Sequence, residues 1–124
     1  MPVNISIEGD VVVVSNFNRL MNDPRYVDAG RDIQDLLDQG RRRFILDMGG
    51  VHETGSSFLG LLMTITRRIQ KPGGEIVLAH LSRHMEEFLE TMQMEDFWDV
   101  FRTVDEAIES FRHESAEGAR EEPE

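Results

Sequence analysis

The sequence predicts an α/β fold: a single domain whose mixed, mostly parallel sheet has four to five strands and is covered by four helices. Three observations lead to this prediction. Short apolar runs, which suit buried strands, alternate with segments in which apolar residues recur at helical spacing. No segment repeats, and 124 residues is the size of one ordinary domain. Strands that alternate with helices pair in parallel, because each helix carries the chain back across the sheet.

Two strands joined by a turn begin the chain, in "VNISIEGDVVVVSN". Apolar and polar residues alternate in the first strand, which therefore suits a half-exposed position. Val11 to Val14 form a continuous apolar run, as in a strand covered on both faces. Gly9-Asp10 suits the turn, so we expect this hairpin to add an antiparallel strand at one edge of the sheet.

A loop, a helix and a buried strand follow the hairpin. The segment "FNRLMNDPRY" fits neither period and contains Asn-Asp-Pro, which predicts a loop. Ile33, Leu36 and Leu37 then recur at helical spacing, and Gly40 is a suitable end for that helix. The next segment, "RFILDM", is typical of a buried strand.

The second half of the chain continues the alternation. A helix in "SSFLGLLMTITRRIQ" ends at "KPGG" and precedes the buried strand "EIVLAH". Ser82 is the predicted cap of the third helix, "FWDVF" is a short edge strand, and Thr103 with Glu106 forms a capping box for the last helix. The predicted apolar faces of these helices are Leu59, Leu62, Met63, Thr66 and Ile69; Met85, Phe88, Leu89 and Met92; and Val104, Ala107, Ile108 and Phe111.

Charge and composition exclude several classes of function. The net charge of -11 would be repelled by a phosphate backbone, so no nucleic-acid partner is expected. The three arginines at 41–43 are interpreted as a solvated face. No apolar run approaches the roughly 20 residues that span a bilayer, which predicts no membrane insertion and a cytoplasmic protein. The acidic segment 114–124 has almost no apolar residue, so we expect a domain over 1–113 and a disordered tail.

The segment "GSSFLG" raises the question of chemistry. A serine hydrolase is disfavoured because Phe58 stands where a Gly-x-Ser-x-Gly elbow needs its second glycine. A metal site is disfavoured because Ser82, as a helix cap, separates His80 from His84. No glycine spacing matches a nucleotide-binding loop. We therefore predict no catalytic residue, no metal ligand and no cofactor-binding residue.

Two compatible interpretations remain for the serine pair. Ser56 or Ser57 could cap the helix by accepting hydrogen bonds from backbone N–H groups of its first turn. The same helix N-terminus, with its positive dipole end, also suits a phosphate group. The residue pattern leaves both interpretations open.

One ordered series of segments resembles the STAS domain of bacterial anti-sigma factor antagonists. It is "RFILDMGGVHETGSSFLGLLMTITRRIQKPGGEIVLAHLS". The hallmark of that family is a strand, a short polar loop and Asp-Ser-Ser/Thr-Gly-Leu-Gly at the start of a helix. The resemblance places the family's phosphorylated serine at Ser56, the second hydroxyl at Ser57 and the Leu-Gly pair at Leu59-Gly60. It implies a partner-binding surface at Gly55, Ser56, Ser57, Phe58 and Leu59.

The chain departs from the family pattern at three places. Gly55 replaces the acidic residue that usually precedes the phosphoserine, and Phe58 replaces the glycine that usually follows the serines. The segment "SNFNRLMND" stands where the family commonly has Gly-Glu-Leu/Phe-Asp. Phe58 is therefore expected to lie at the edge of the docking surface.

The resemblance implies a protein-binding switch that is not an enzyme and needs no cofactor. Unphosphorylated, it would bind an anti-sigma factor serine kinase with a histidine-kinase-like ATPase fold and free a sigma factor; serine phosphorylation would release it, and a phosphoserine phosphatase would restore binding. The alternative is a non-phosphorylated structural STAS subunit of a stressosome-like scaffold or a lipid ABC transporter. The departure at Gly55 favours this alternative.

Overall fold

The computed structural model describes residues 4–16, 26–52 and 55–121, with side chains except at 26–29, 56, 57 and 115–121. The order of elements within these ranges is the predicted one, and the loop predicted over 17–25 lies outside them. The strands are β1 Asn4–Glu8, β2 Val11–Ser15, β3 Arg43–Asp47, β4 Glu75–Ala79 and β5 Val100–Phe101, and the helices are α1 Tyr26–Asp38, α2 Ser56–Gln70, α3 Arg83–Thr91 and α4 Val104–Glu121.

One five-stranded sheet in the order β1-β2-β3-β4-β5 organises the domain. β1 pairs antiparallel with β2 through a turn at Gly9, whose φ is 65°, and the other three pairings are parallel. The prediction of a mixed, mostly parallel sheet with an antiparallel hairpin at its edge is confirmed. Because β3 and β4 are parallel neighbours, the loops that follow them emerge at the same edge of the sheet.

Two apolar layers cover the sheet. The larger one packs α1, α2 and α3 on one face, and the smaller one packs α4 on the other face. Val12 and Val14 belong to the first layer, whereas Val11 and Val13 belong to the second. This alternation explains the continuous apolar run of β2, since neighbouring residues of a strand point to opposite faces and both faces are covered here.

A buried hydrogen bond ties α2 to the segment before β5. Thr66 is fully buried on α2, and its Oγ1 accepts a hydrogen bond from Trp98 Nε1 at 3.0 Å. The same hydroxyl donates to the Leu62 carbonyl at 2.7 Å. Both polar groups are thereby paired inside the core, which removes the cost of burying them.

The helix ends largely follow the predicted signals. Gly40 follows α1 with a φ of 93°, a left-handed conformation that suits glycine. Ser82 Oγ accepts from the Met85 amide at 3.1 Å, and Thr103 Oγ1 accepts from the Glu106 amide at 3.1 Å. Met92 was expected on the buried face of α3; it is instead the C-terminal cap residue and 46% exposed, because the helix ends at Thr91.

The three arginines at 41–43 bind backbone carbonyls of the domain, which corrects their interpretation as a simple solvated face. Arg41 donates to Gly9 O at 3.0 Å, and Arg42 donates to Leu37 O at 2.8 Å. Arg43 donates to Phe111 O at 3.2 Å, and its guanidinium lies 5.5 Å from the centre of the Phe111 ring. These side chains join the β1–β2 turn, the end of α1 and α4 to the beginning of β3.

The last helix is longer than the sequence predicts. The apolar face of α4 ends at the buried Phe111, and Arg112, His113 and Glu114 are exposed. Helical backbone nevertheless continues to Glu121, where a disordered tail was expected from residue 114. Alanine, glutamate and arginine favour helix without any tertiary contact, which accounts for the extension. That the domain proper ends near residue 113 stays a prediction.

Candidate functional site

The connection from β3 to α2 begins with a tight turn anchored in the core. The Met48 amide donates to the Ala79 carbonyl at 2.9 Å, and the Val51 amide donates to the Met48 carbonyl at 3.0 Å. Met48 and Val51 are both buried, whereas His52 is exposed. The loop therefore returns to the core at Val51 before it reaches α2.

Asp47, Gly49 and His80 meet where β3 and β4 end. Asp47 Oδ1 accepts from the Gly49 amide at 2.9 Å and lies 3.5 Å from His80 Nδ1. A Cβ at position 49 would lie 2.6 Å from His80 Nδ1, so only glycine leaves room for the imidazole in this position. This cluster was not predicted from the sequence. Its signal was Asp-x-Gly-Gly directly after a buried strand, which is the pattern of an aspartate accepting from the backbone of its own turn.

Gly55 is the N-terminal cap residue of α2, and its carbonyl accepts from the Leu59 amide at 3.0 Å. Its φ of 141° and ψ of 177° fall in a region that is essentially restricted to glycine. The prediction that Ser56 or Ser57 caps the helix is therefore wrong. The residue before the helix has a backbone conformation that serine does not favour. The cap position is therefore occupied by Gly55 and by neither serine.

Ser56 and Ser57 are the first two residues of α2, so neither occupies the cap position that precedes the helix. The first-turn N–H groups of a helix have no partner within it, and the helix dipole makes this end positive. The first turn of α2 contains no acidic residue. The backbone around the serine pair is therefore suited to a negatively charged group.

Phe58 is buried, with an exposed fraction of 2%, and belongs to the core under the sheet. The expectation that its side chain lies at the edge of a docking surface is therefore corrected. With Leu62, Ile65 and Ile69, Phe58 forms the stripe that faces the sheet, at offsets of four, seven and eleven residues. Leu59 is only half-buried.

Gly60 is exposed on α2, and a Cβ there would meet no atom within 4 Å. The buried face of α2 is rotated by about one residue from the predicted face. The prediction placed Leu59 and Met63 on that face, whereas the structure buries Phe58 and Ile65.

Within the ranges that the structure describes, no three or more His, Asp or Glu side chains are grouped so that they could hold a metal ion. His80 and His84 are separated by the Ser82 cap, as predicted. Of the helices in those ranges, none is long and apolar enough to cross a membrane.

Residues 11–107 match the model of the STAS domain family. This chain belongs to the STAS domain family. The resemblance seen in the sequence is thereby confirmed, and the match covers every described element from β2 to the first turn of α4. BtrV of Bordetella bronchiseptica, which is named as an anti-sigma factor antagonist, is 21% identical to this STAS chain over 103 residues, or 83% of this chain and 89% of BtrV.

Solved STAS structures share the fold. An anti-sigma factor antagonist domain from Planctomyces limnophilus is 24% identical, with a TM-score of 0.69 over 87% of this chain and 96% of that protein. Unphosphorylated SpoIIAA is 22% identical, with a TM-score of 0.70 over 90% of this chain and 96% of SpoIIAA. The phosphorylated form of SpoIIAA from Bacillus is 18% identical, with a TM-score of 0.64 over 88% of this chain and 98% of that protein. These similarities establish the five-stranded mixed sheet with four helices as a STAS fold.

Proposed function

We propose that this STAS domain is an anti-sigma factor antagonist of bacterial partner-switching signalling and that Ser56 is its phosphate acceptor. The observation that carries the proposal is the position of the serine pair. Ser56 and Ser57 are the first two residues of α2, directly after the loop from β3, in a chain of the STAS family. The relatives named as anti-sigma factor antagonists support this function.

A phosphate on Ser56 would act through charge. A phosphoserine carries about -1.5 to -2 charges. Binding of a partner at this surface would then be opposed by the cost of desolvating the phosphate and by repulsion from any nearby negative charge. The fold itself would tolerate the group, because the N-terminus of a helix is the end that favours negative charge. The phosphate would therefore change partner binding and leave the domain folded.

The proposed docking surface consists of Gly55, Ser56, Ser57 and Leu59. The side chain of Phe58 is buried, so Phe58 contributes to this surface only by holding this end of α2 against the core. The partners would be an anti-sigma factor serine kinase with a histidine-kinase-like ATPase fold and a phosphoserine phosphatase. The kinase would supply ATP and magnesium, so this cytoplasmic chain would need no cofactor and catalyse no reaction.

Phosphorylation by the cognate kinase with ATP tests the proposal. We expect one phosphate per chain, no phosphate on the Ser56→Ala variant and unchanged phosphorylation of the matched Ser57→Ala variant, as measured by intact mass. Ser56→Asp should weaken kinase binding at least about tenfold, a loss of about 1.4 kcal/mol, without unfolding the domain. Equal phosphorylation of Ser56→Ala and wild type would contradict the choice of Ser56.

A second candidate function is that of a structural STAS subunit, in a stressosome-like scaffold or a lipid ABC transporter. Gly55 favours it, because the acidic residue of the phosphorylation motif is missing and the backbone there suits glycine. Protein isolated from cells that lack the phosphatase distinguishes the two functions. If that protein carries no phosphate and Ser56→Asp binds partners as wild type does, the structural function is the correct one.

A further inference from the structure

The chain exposes apolar side chains in one region far along the sequence from the serine pair. Four large apolar residues are more than about two-fifths exposed within the described ranges, and three of them, Met92, Phe97 and Val100, lie between the end of α3 and β5. Such residues scattered singly need no explanation, whereas a contiguous apolar patch marks an interaction surface, and of these three Val100 lines a groove. The fourth, Ile7, lies on the opposite edge strand β1.

A groove of about 280 Å³ lies between α3 and β5. Its apolar lining is Leu81, Leu89 and Val100, and its polar lining is Glu86, Glu90 and Glu95. The described lining therefore combines an apolar floor with three carboxylates and no cation. We refer to these six residues as the β5 groove.

On one side the backbone of β5 pairs with β4, and on the other side, next to this groove, it faces away from the sheet. Leu78 N–H donates to Asp99 O at 3.0 Å, and His80 N–H donates to Phe101 O at 3.1 Å. Backbone groups of neighbouring strand residues point to opposite sides, so the N–H and C=O of Val100 point away from β4. In the part of the chain that the structure describes, β5 is the last strand of the sheet, which leaves these groups available to another strand.

The charges of the groove identify the kind of partner. A second copy of this chain would bring another three carboxylates and a net charge of -11 to the same edge, which disfavours self-association. A segment with lysine or arginine on one face and apolar side chains on the other complements both the carboxylates and the apolar floor. An extended segment would in addition pair with the backbone of Val100, as in strand addition to a sheet edge.

We propose that the β5 groove binds an extended, basic and partly apolar polypeptide segment of another protein, as a second interaction surface that does not depend on Ser56. It shares no residue with the docking surface at the start of α2. A STAS domain with both surfaces would hold one partner through the β5 groove while phosphorylation controls a different partner at α2.

A random peptide display library, selected against the full-length protein, tests this proposal. We expect the selected peptides to be basic with apolar residues at alternate positions, and to slow hydrogen exchange at the Val100 amide in NMR spectra. Glu90→Lys and Val100→Lys should each weaken binding of the selected peptides at least about tenfold. The matched controls are Glu109→Lys, an exposed charge reversal on α4, and Ile7→Lys, an equally exposed apolar residue on the other edge strand.

Three results would overturn the proposal. One is the failure to select any binding peptide, and another is the selection of peptides that perturb only residues outside the β5 groove. The third is that the groove variants and their controls weaken peptide binding equally, which would show that the peptides are attracted only to the net charge of the protein. Because wild type and Ser56→Ala should bind these peptides equally, the outcome is separate from that of the phosphorylation experiment.

Discussion

At Gly55 the chain departs from the sequence pattern of its family, and the backbone there has a conformation that suits glycine. The family usually has an acidic residue at this position, yet the φ of 141° and ψ of 177° belong to a region used almost only by glycine. The difference is therefore not merely a missing carboxylate. A side chain at position 55 would strain the entry into α2, and the path of the loop would have to change to relieve it.

The conformation of Gly55 and the exposed position of Gly60 predict opposite effects for alanine substitutions at these two residues. Gly55→Ala should lower the free energy of unfolding by about 1–3 kcal/mol, because the native backbone conformation costs that much for an L-residue. Gly60→Ala should raise it by about 0.5–1 kcal/mol, because the added Cβ meets open space and alanine favours helix. Urea unfolding of both variants measures the difference. A neutral Gly55→Ala would contradict the assigned conformation.

At the scale of elements, α2 both carries the serine pair and forms the centre of the core. Phe58, Leu62, Ile65 and Ile69 hold one side of this helix against the sheet. The proposed docking surface therefore lies on a helix that packs against the sheet, and Phe58 is buried at the residue after the serines. Phosphorylation would act on the surface of that element and would not need to move it.

The buried contact between α2 and Trp98 gives a prediction at this scale. Thr66→Val leaves Trp98 Nε1 without its acceptor in the core, and the loss of a partner for a buried donor costs about 1–3 kcal/mol. Thr64→Val is the matched control, because Thr64 is exposed on the same helix and donates only to Gly60 O. Its effect should stay within about 0.5 kcal/mol. Thermal or urea unfolding measures the stability of both variants. If both lose a similar amount of stability, helix propensity and not the hydrogen bond to Trp98 accounts for the loss.

In the whole molecule, the sheet places the two proposed interaction surfaces at different sites. The serine pair follows the carboxyl end of β3, whereas the arginines at 41–43 lie at the amino end of the same strand. The β5 groove lies along the edge of the sheet that β5 forms. Among the side chains that the structure describes, Phe111 is the last that joins the core, and Arg43 contacts it from β3. We therefore expect residues after 113 to contribute little to the packing of the domain.

Removal of residues 114–124 tests this expectation. The deletion takes away five glutamates and one arginine but almost no apolar area. The free energy of unfolding should change by no more than about 0.5 kcal/mol, as for exposed polar surface elsewhere. Calorimetry of the truncated and full chains measures the change. A loss above about 1 kcal/mol would show that the end of α4 packs against the domain.

The order of elements, the fold class and most helix ends followed from local patterns in the sequence. Apolar periodicity, the caps at Ser82 and Thr103 and the stop at Gly40 are set by residues within a few positions of one another, so they could be predicted without a structure. Tertiary contacts decided the rest. The rotation of α2 that buries Phe58, the conformation of Gly55 and the pairing of Asp47 with His80 depend on where distant strands meet. No local pattern contains that information, because a helix face is chosen by the surface that packs against it.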